Sequence, residues 1–120
     1  MAVFLNGYDI VAWNYAAELG GITNTTARTI KTASITGERH YITALQIYAD
    51  DLTTASELVI RDGSVGTVLW RSKITSEGFV QQAGITFPTA LKGSINTLLE
   101  ICLLTTPGAA VYFNAQGYSA

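Results

Sequence analysis

The chain has 120 residues, 48% of them apolar and only 13% charged, with a formal net charge of -2 and an isoelectric point near 5.2. That length suits one hydrophobic core and one domain, and the seven scattered cations build no basic face for nucleic-acid phosphates. Charged residues usually make up roughly 25% of a globular domain, so much of this surface must be neutral: either covered by Ser, Thr, Asn and Gln or hidden in an assembly.

At the N-terminus, Met1-Ala-Val-Phe-Leu5 has no basic flank, and Asn6, Gly7 and Asp9 interrupt its apolar run, so it does not read as a secretory signal. No window reaches the roughly 18 to 20 apolar residues of a membrane-spanning helix. The expectation is a soluble protein made in a reducing cytoplasm, with no membrane and no nucleic acid among its partners. Phe4, Leu5, Tyr8, Ile10, Val11, Trp13, Tyr15 and Leu19 crowd the first twenty positions with neither strict alternation nor a helical stripe. Residues 1–21 are therefore set apart as an N-terminal arm or edge segment, ahead of a β-sandwich domain over 22–120. Phe4, Leu5, Tyr8, Ile10, Val11 and Trp13 are candidates for a partner interface, although covering an edge of the core would use the same residues.

Residues 27–35 have the β-branching of an outer strand with a polar face. In 40–48, alternation sets Tyr41, Thr43, Leu45 and Ile47 against Ile42, Ala44, Gln46 and Tyr48. Asp50 and Asp51 open a connection; they lack the spaced carboxylates of a calcium loop and read as turn residues. Residues 57–74 form the clearest local signal, two β-rich runs flanking Asp62-Gly63-Ser64-Val65-Gly66, in which glycines tolerate the positive φ of a tight reversal. Trp70, on the second arm, is a further interface candidate or a core residue.

After a loop at 75–78, a strand over 79–87 is expected to end at Pro88, which cannot donate a ladder hydrogen bond, with a break near Gly84. In 95–105 both alternating sets are largely apolar, which suits a central strand buried on both faces. Pro107-Gly108 turns the chain into a last strand reaching Tyr118. About eight short strands, with no long helix and no repeat, predict an all-β antiparallel sandwich of jelly-roll topology with an N-terminal arm; an immunoglobulin-like sandwich is the alternative.

Little in the chain suggests chemistry. His40 is the only histidine and Cys102 the only cysteine, so no zinc cluster and no internal disulfide can form. No serine lies in the strained Gly-x-Ser-x-Gly setting of a nucleophile, and the glycines lack the spacing of a phosphate loop. Glu100 is the one carboxylate set in an apolar strand; a neighbouring arginine or an interface accounts for it as well as catalysis does. The expectation is no enzyme, no cofactor and no metal. Tyr and Trp side chains could form a sugar platform, but aromatics in strands more often pack.

Leu58-Val-Ile-Arg-Asp-Gly63 with Gly66-Thr-Val-Leu-Trp-Arg71, then Ile85-Thr-Phe-Pro88, Leu91-Lys-Gly93, Asn96-Thr-Leu-Leu-Glu100 and Val111-Tyr-Phe-Asn-Ala-Gln-Gly-Tyr118 resemble small structural proteins of tailed bacteriophages. In particular they resemble the capsid decoration, or cement, family with a tumour-necrosis-factor-like jelly roll. The resemblance covers about two thirds of the chain and leaves out the first forty residues. It implies a homotrimer that binds the major capsid protein on the outer surface of the virion and stabilises the shell. The alternative is a receptor- or glycan-binding virion module, such as a fibre or tail-tip domain.

Overall fold

Apolar and polar residues alternate along 111–119, and the fold uses that alternation directly: Val111, Phe113 and Ala115 point into the core while Tyr112 and Asn114 stay exposed. The computed structural model describes residues 2–5, 8–74 and 81–120. Among these, the strands are β1 (Ala2–Leu5), β2 (Tyr8–Ala16), β3 (Arg28–Lys31), β4 (His40–Ala49), β5 (Ser56–Asp62), β6 (Thr67–Ile74), β7 (Gln81–Lys92), β8 (Leu99–Leu103) and β9 (Val111–Ser119). A five-stranded sheet runs β1-β2-β9-β4-β7 and a four-stranded sheet runs β3-β8-β5-β6. Every pairing is antiparallel. The eight strands β2 to β9 interleave across the two sheets in jelly-roll order, and β1 adds a further strand at one margin.

Between the sheets lie Ile42, Leu45, Ile47 and Ala49 of β4, Leu58 and Ile60 of β5, Leu99, Ile101 and Leu103 of β8, and Val111, Phe113 and Ala115 of β9. Burying each of the larger side chains contributes roughly 1.5–3 kcal/mol. Trp13 of β2 joins them at 9% exposure. The stretch 1–21, set apart in the sequence as arm or edge segment, thus supplies a sheet strand: β2 pairs with β9 from Val11↔Ser119 to Ala16↔Asn114.

The hairpin predicted at 57–74 is present as β5 and β6, with register running from Ser56↔Ile74 to Asp62↔Thr67. In its turn, Gly63 has φ 94 and Val65 φ 53. Gly66 is required for a different reason, since a Cβ there would fall 1.9 Å from the Asp62 carbonyl oxygen.

Other expectations are corrected. Strand β7 does not end at Pro88 but runs on to Lys92, because the pairing skips from Ala44↔Thr86 to Ile42↔Leu91. Pro88 therefore sits in a bulge, on a margin strand, where no ladder bond is asked of it. The strand expected over 95–105 is confined to Leu99–Leu103, all five residues buried; the chain reverses just before it, with Asn96 at φ 53. Strand β3 is likewise shorter than 27–35, and Ile35 is 93% exposed in the following loop. The interval 75–80, with the predicted loop and the start of the next strand, lies outside the described residues.

The alternation read along 40–48 breaks at Thr43. Opposite β9 the register passes from Ile42↔Gly117 to Ala44↔Gln116, leaving Thr43 as the extra residue of a bulge. His40 and Ile42 point inward before it, and Leu45, Ile47 and Ala49 after it. Tyr41 consequently shares the outer face with Ala44, Gln46 and Tyr48, not the inner one with Leu45 and Ile47.

Candidate functional site

With the bulge in place, the outer face of the five-stranded sheet acquires a uniform chemistry. Strand β2 contributes Ala12, Asn14 and Ala16; β9 contributes Tyr112, Asn114, Gln116 and Tyr118; β4 contributes Tyr41, Ala44, Gln46 and Tyr48; β7 contributes Gly84 and Thr86. Among the described residues in this outward register the one charge is Lys92, at the end of β7 opposite Tyr41. A sheet face of alternating polar residues ordinarily carries several Lys and Glu, so a single Lys at one end of four strands is specific to this surface.

The polar groups there are paired with each other. Tyr41 and Tyr118 face one another in the register and their rings stack with centroids 4.7 Å apart and planes 11° from parallel. At the far end Tyr48 and Tyr112 are opposed in the same way, with centroids 5.9 Å apart. Between them Gln46 and Gln116 exchange two hydrogen bonds, each amide nitrogen donating to the other's oxygen at 2.9 Å. Such cross-strand pairs contribute roughly 0.2–1 kcal/mol each. They also give each of those two amides a donor and an acceptor partner within the face.

The outer face of the four-stranded sheet differs. Arg71 and Glu57 lie 3.4 Å apart on paired strands, and Arg61 meets Glu100 at 2.6 Å. Glu100, the carboxylate in an apolar strand, is only 5% exposed. The β5–β6 turn curls over it, so that the Val65 backbone N–H donates to its Oε2 at 2.9 Å. Arg61 thus accounts for the buried acid. Between these charges in the register sit Val59 and Cys102, 1% and 3% exposed. Burial raises the pKa of the Cys102 thiol and Glu100 adds to the rise, while Arg61 opposes it.

His40 is buried inside one end of the sandwich. Its Nε2 lies 2.6 Å from the Thr32 carbonyl, which can only accept, so Nε2 carries the proton. Nδ1 therefore accepts from the Ser119 hydroxyl at 2.6 Å, and Ser119 Oγ in turn accepts from the Trp13 indole at 3.1 Å. The ring borders a cleft of about 330 Å³ lined also by Lys31, Ser34 and Glu38. Both nitrogens are already committed, which leaves no lone pair for a substrate or a metal. Among the described residues no group of three or more His, Cys, Asp or Glu side chains could hold a metal ion.

Of the interface candidates, Trp13 is committed to the core and to Ser119, and Trp70 packs partly buried against the core opposite Ile60. Val11 is 36% exposed and Ile10 intermediate. The side chains of Phe4, Leu5 and Tyr8 lie outside the described ones. The sequence does not single out the neutral face, although Tyr41, Tyr48, Tyr112 and Tyr118 are among the tyrosines that suggest a sugar platform. The signal that could have found it is the run of uncharged outward positions in both 41–48 and 112–118.

No protein-family model matches the chain, and no curated protein does. Among solved structures, the chain is similar to one described as the extra small virus virus-like particle of the giant freshwater prawn Macrobrachium rosenbergii, at 15% identity and TM-score 0.43, covering 98% of this chain and 81% of that one. It is also similar to one described as a Bacillus endospore appendage of a disulfide-linked pilus family, at 18% identity and TM-score 0.48, covering 99% and 95%.

Proposed function

We propose that this chain is a structural assembly subunit, and more narrowly a capsid decoration protein: a homotrimer seated on the outer surface of a shell built by a major capsid protein, which it stabilises in the virion. The observation that carries this reading is the outer face of the five-stranded sheet, whose described residues carry no charge but Lys92 at one end. Its central amides each give one donor and one acceptor to the other, which lowers the cost of covering them, and away from Lys92 no charge has to be stripped of water. Interface cores are depleted of charge and enriched in Tyr for the same reason. The resemblance of residues 58–71, 85–100 and 111–118 to phage cement proteins supports the narrower form. A non-catalytic role fits the commitment of His40 to Ser119 and Thr32 and of Glu100 to Arg61.

The test is co-sedimentation of the protein with capsid shells that lack it. Gln46→Lys and Asn114→Lys on the neutral face should weaken binding about tenfold or more, because an unpaired charge buried at the contact costs upward of about 1.4 kcal/mol. Unchanged binding by both variants overturns the reading.

Tyr48 and Tyr112, 39% and 38% exposed, favour a second reading in which this face binds a glycan by stacking. The mutual pairing of Gln46 with Gln116 counts against it, since those amides are not free to meet sugar hydroxyls. Retention of defined oligosaccharides on an array, lost in Tyr48→Ala, would favour the glycan.

A further inference from the structure

Strand β1 pairs with β2 from Leu5↔Tyr8 to Ala2↔Val11, whereas β9 meets the other side of β2 only from Val11↔Ser119 onward. Residues 2–5 and 8–10 therefore form a two-stranded pair that overhangs the sandwich, with no third strand along either side among the described residues. Two strands alone are marginal in water. This pair carries Ala2-Val-Phe-Leu5, Tyr8 and Ile10 against the single charge of Asp9.

At the opposite margin of the same sheet, β7 offers another open edge, uncharged from Gln81 to Leu91; Pro88 and its bulge blunt its later half, and the regularly paired stretch Gln81 to Thr86 is left open. The margins of the other sheet are protected in the ordinary way by charge, β3 with Arg28 and Lys31 and β6 with Arg71 and Lys73. Among the described residues, the two margins without charge therefore belong to one sheet and lie on opposite sides of it.

We propose that the β1–β2 overhang of one copy adds along β7 of a second copy, continuing the five-stranded sheet from subunit to subunit. Main-chain hydrogen bonds supply the attraction, and the missing edge charges remove the usual obstacle to it. A second copy is the occupant because this chain itself holds both the bare donor and the bare acceptor. The contact is heterologous, β1 to β7 and never β1 to β1, so a ring of three copies can close through it. This deepens the assembly reading, with which it shares the sheet but not the contact surface.

The experiment uses the full chain with Cys102→Ala, so that only introduced thiols react. Cysteines replacing Ala2, Val3, Phe4 or Leu5 in one preparation are mixed with cysteines replacing Gly84, Thr86 or Thr89 in another, oxidised, and resolved on non-reducing gels. Disulfide-linked dimers should form in the mixtures and be scarce in either preparation alone. Absence of mixed dimers, or a majority of β7-to-β7 dimers, overturns the proposal. In parallel, deleting residues 1–7 should reduce the native mass to that of one chain; an unchanged oligomer also overturns it. Gln46→Lys and Asn114→Lys, made on the cysteine pairs, separate the two readings: mixed dimers that persist while shell binding is unchanged sink the neutral-face reading alone, and absent mixed dimers while the two lysines still weaken shell binding sink the strand addition alone.

Discussion

The Thr43 hydroxyl donates to the Gln116 carbonyl across the β4–β9 pair at 3.1 Å, at the one point where that ladder slips by a residue. The side chain replaces a backbone bond that the bulge gives up. On one side of it Tyr41 stacks on Tyr118, and on the other Gln46 reaches Gln116, so the neutral face exists because this slip is held in place.

Thr43→Val should cost about 1 kcal/mol, the usual price of leaving a half-buried carbonyl without its partner. Urea denaturation should show a lower midpoint at unchanged slope. Deleting Thr43 removes the extra residue and leaves plain alternation through Ile42 and Ala44, with His40 and Ile42 still inward and Tyr41 outward; that variant should keep a cooperative transition.

Glu100→Gln should destabilise the fold by about 3–5 kcal/mol, because it strands the Arg61 guanidinium in a place where water does not reach it well. Replacing both partners, Arg61→Met with Glu100→Leu, should recover most of the loss. A double variant as unstable as Glu100→Gln alone would show that the damage comes from packing and not from the stranded charge.

The hydrogen bonds that Arg28 donates hold the Glu18 carboxyl below its usual pKa. A lowered folded-state value means that the pair stabilises above the unfolded carboxylate pKa, and that this is lost as pH falls through the folded one. Glu18 is 45% exposed, so the effect is screened and should stay under about 1 kcal/mol. Between about pH 5 and pH 3 the wild-type Tm should fall slightly further than that of Glu18→Gln, and the gap should shrink in high salt.

Cys102 should resist alkylation in the native state, since it is 3% exposed and its thiol is held protonated by burial. At pH 8, iodoacetamide should modify it at a rate set by opening of the sheet, rising sharply at the denaturant midpoint. Rapid modification of folded protein would contradict the placement of β8 between β3 and β5.

Much of the architecture is legible in local sequence. The β5–β6 hairpin follows from its own turn, and the apolar run of β8 announces a strand covered on both sides. What escapes is set by distant partners. Thr43 looks like any strand residue until Gln116 is placed opposite it, so simple alternation puts Tyr41 on the wrong face. Pro88 reads as a terminator because the bulge that tolerates it belongs to the pairing with β4. Trp13 reads as an arm residue because the hydroxyl it meets, on Ser119, is more than a hundred positions away. The neutral face is built from four strands, and the uncharged outward runs in 41–48 and 112–118 show as one surface only once those strands are paired.

The unequal sharing of charge between the two outer faces also sets how far assembly can go. Under the assembly proposed above, a subunit with ion pairs on one side and a nearly uncharged sheet on the other would adhere in one orientation and present its hydrated side outward. Coating would then be self-limiting at a monolayer, which counting copies per shell at saturating protein checks.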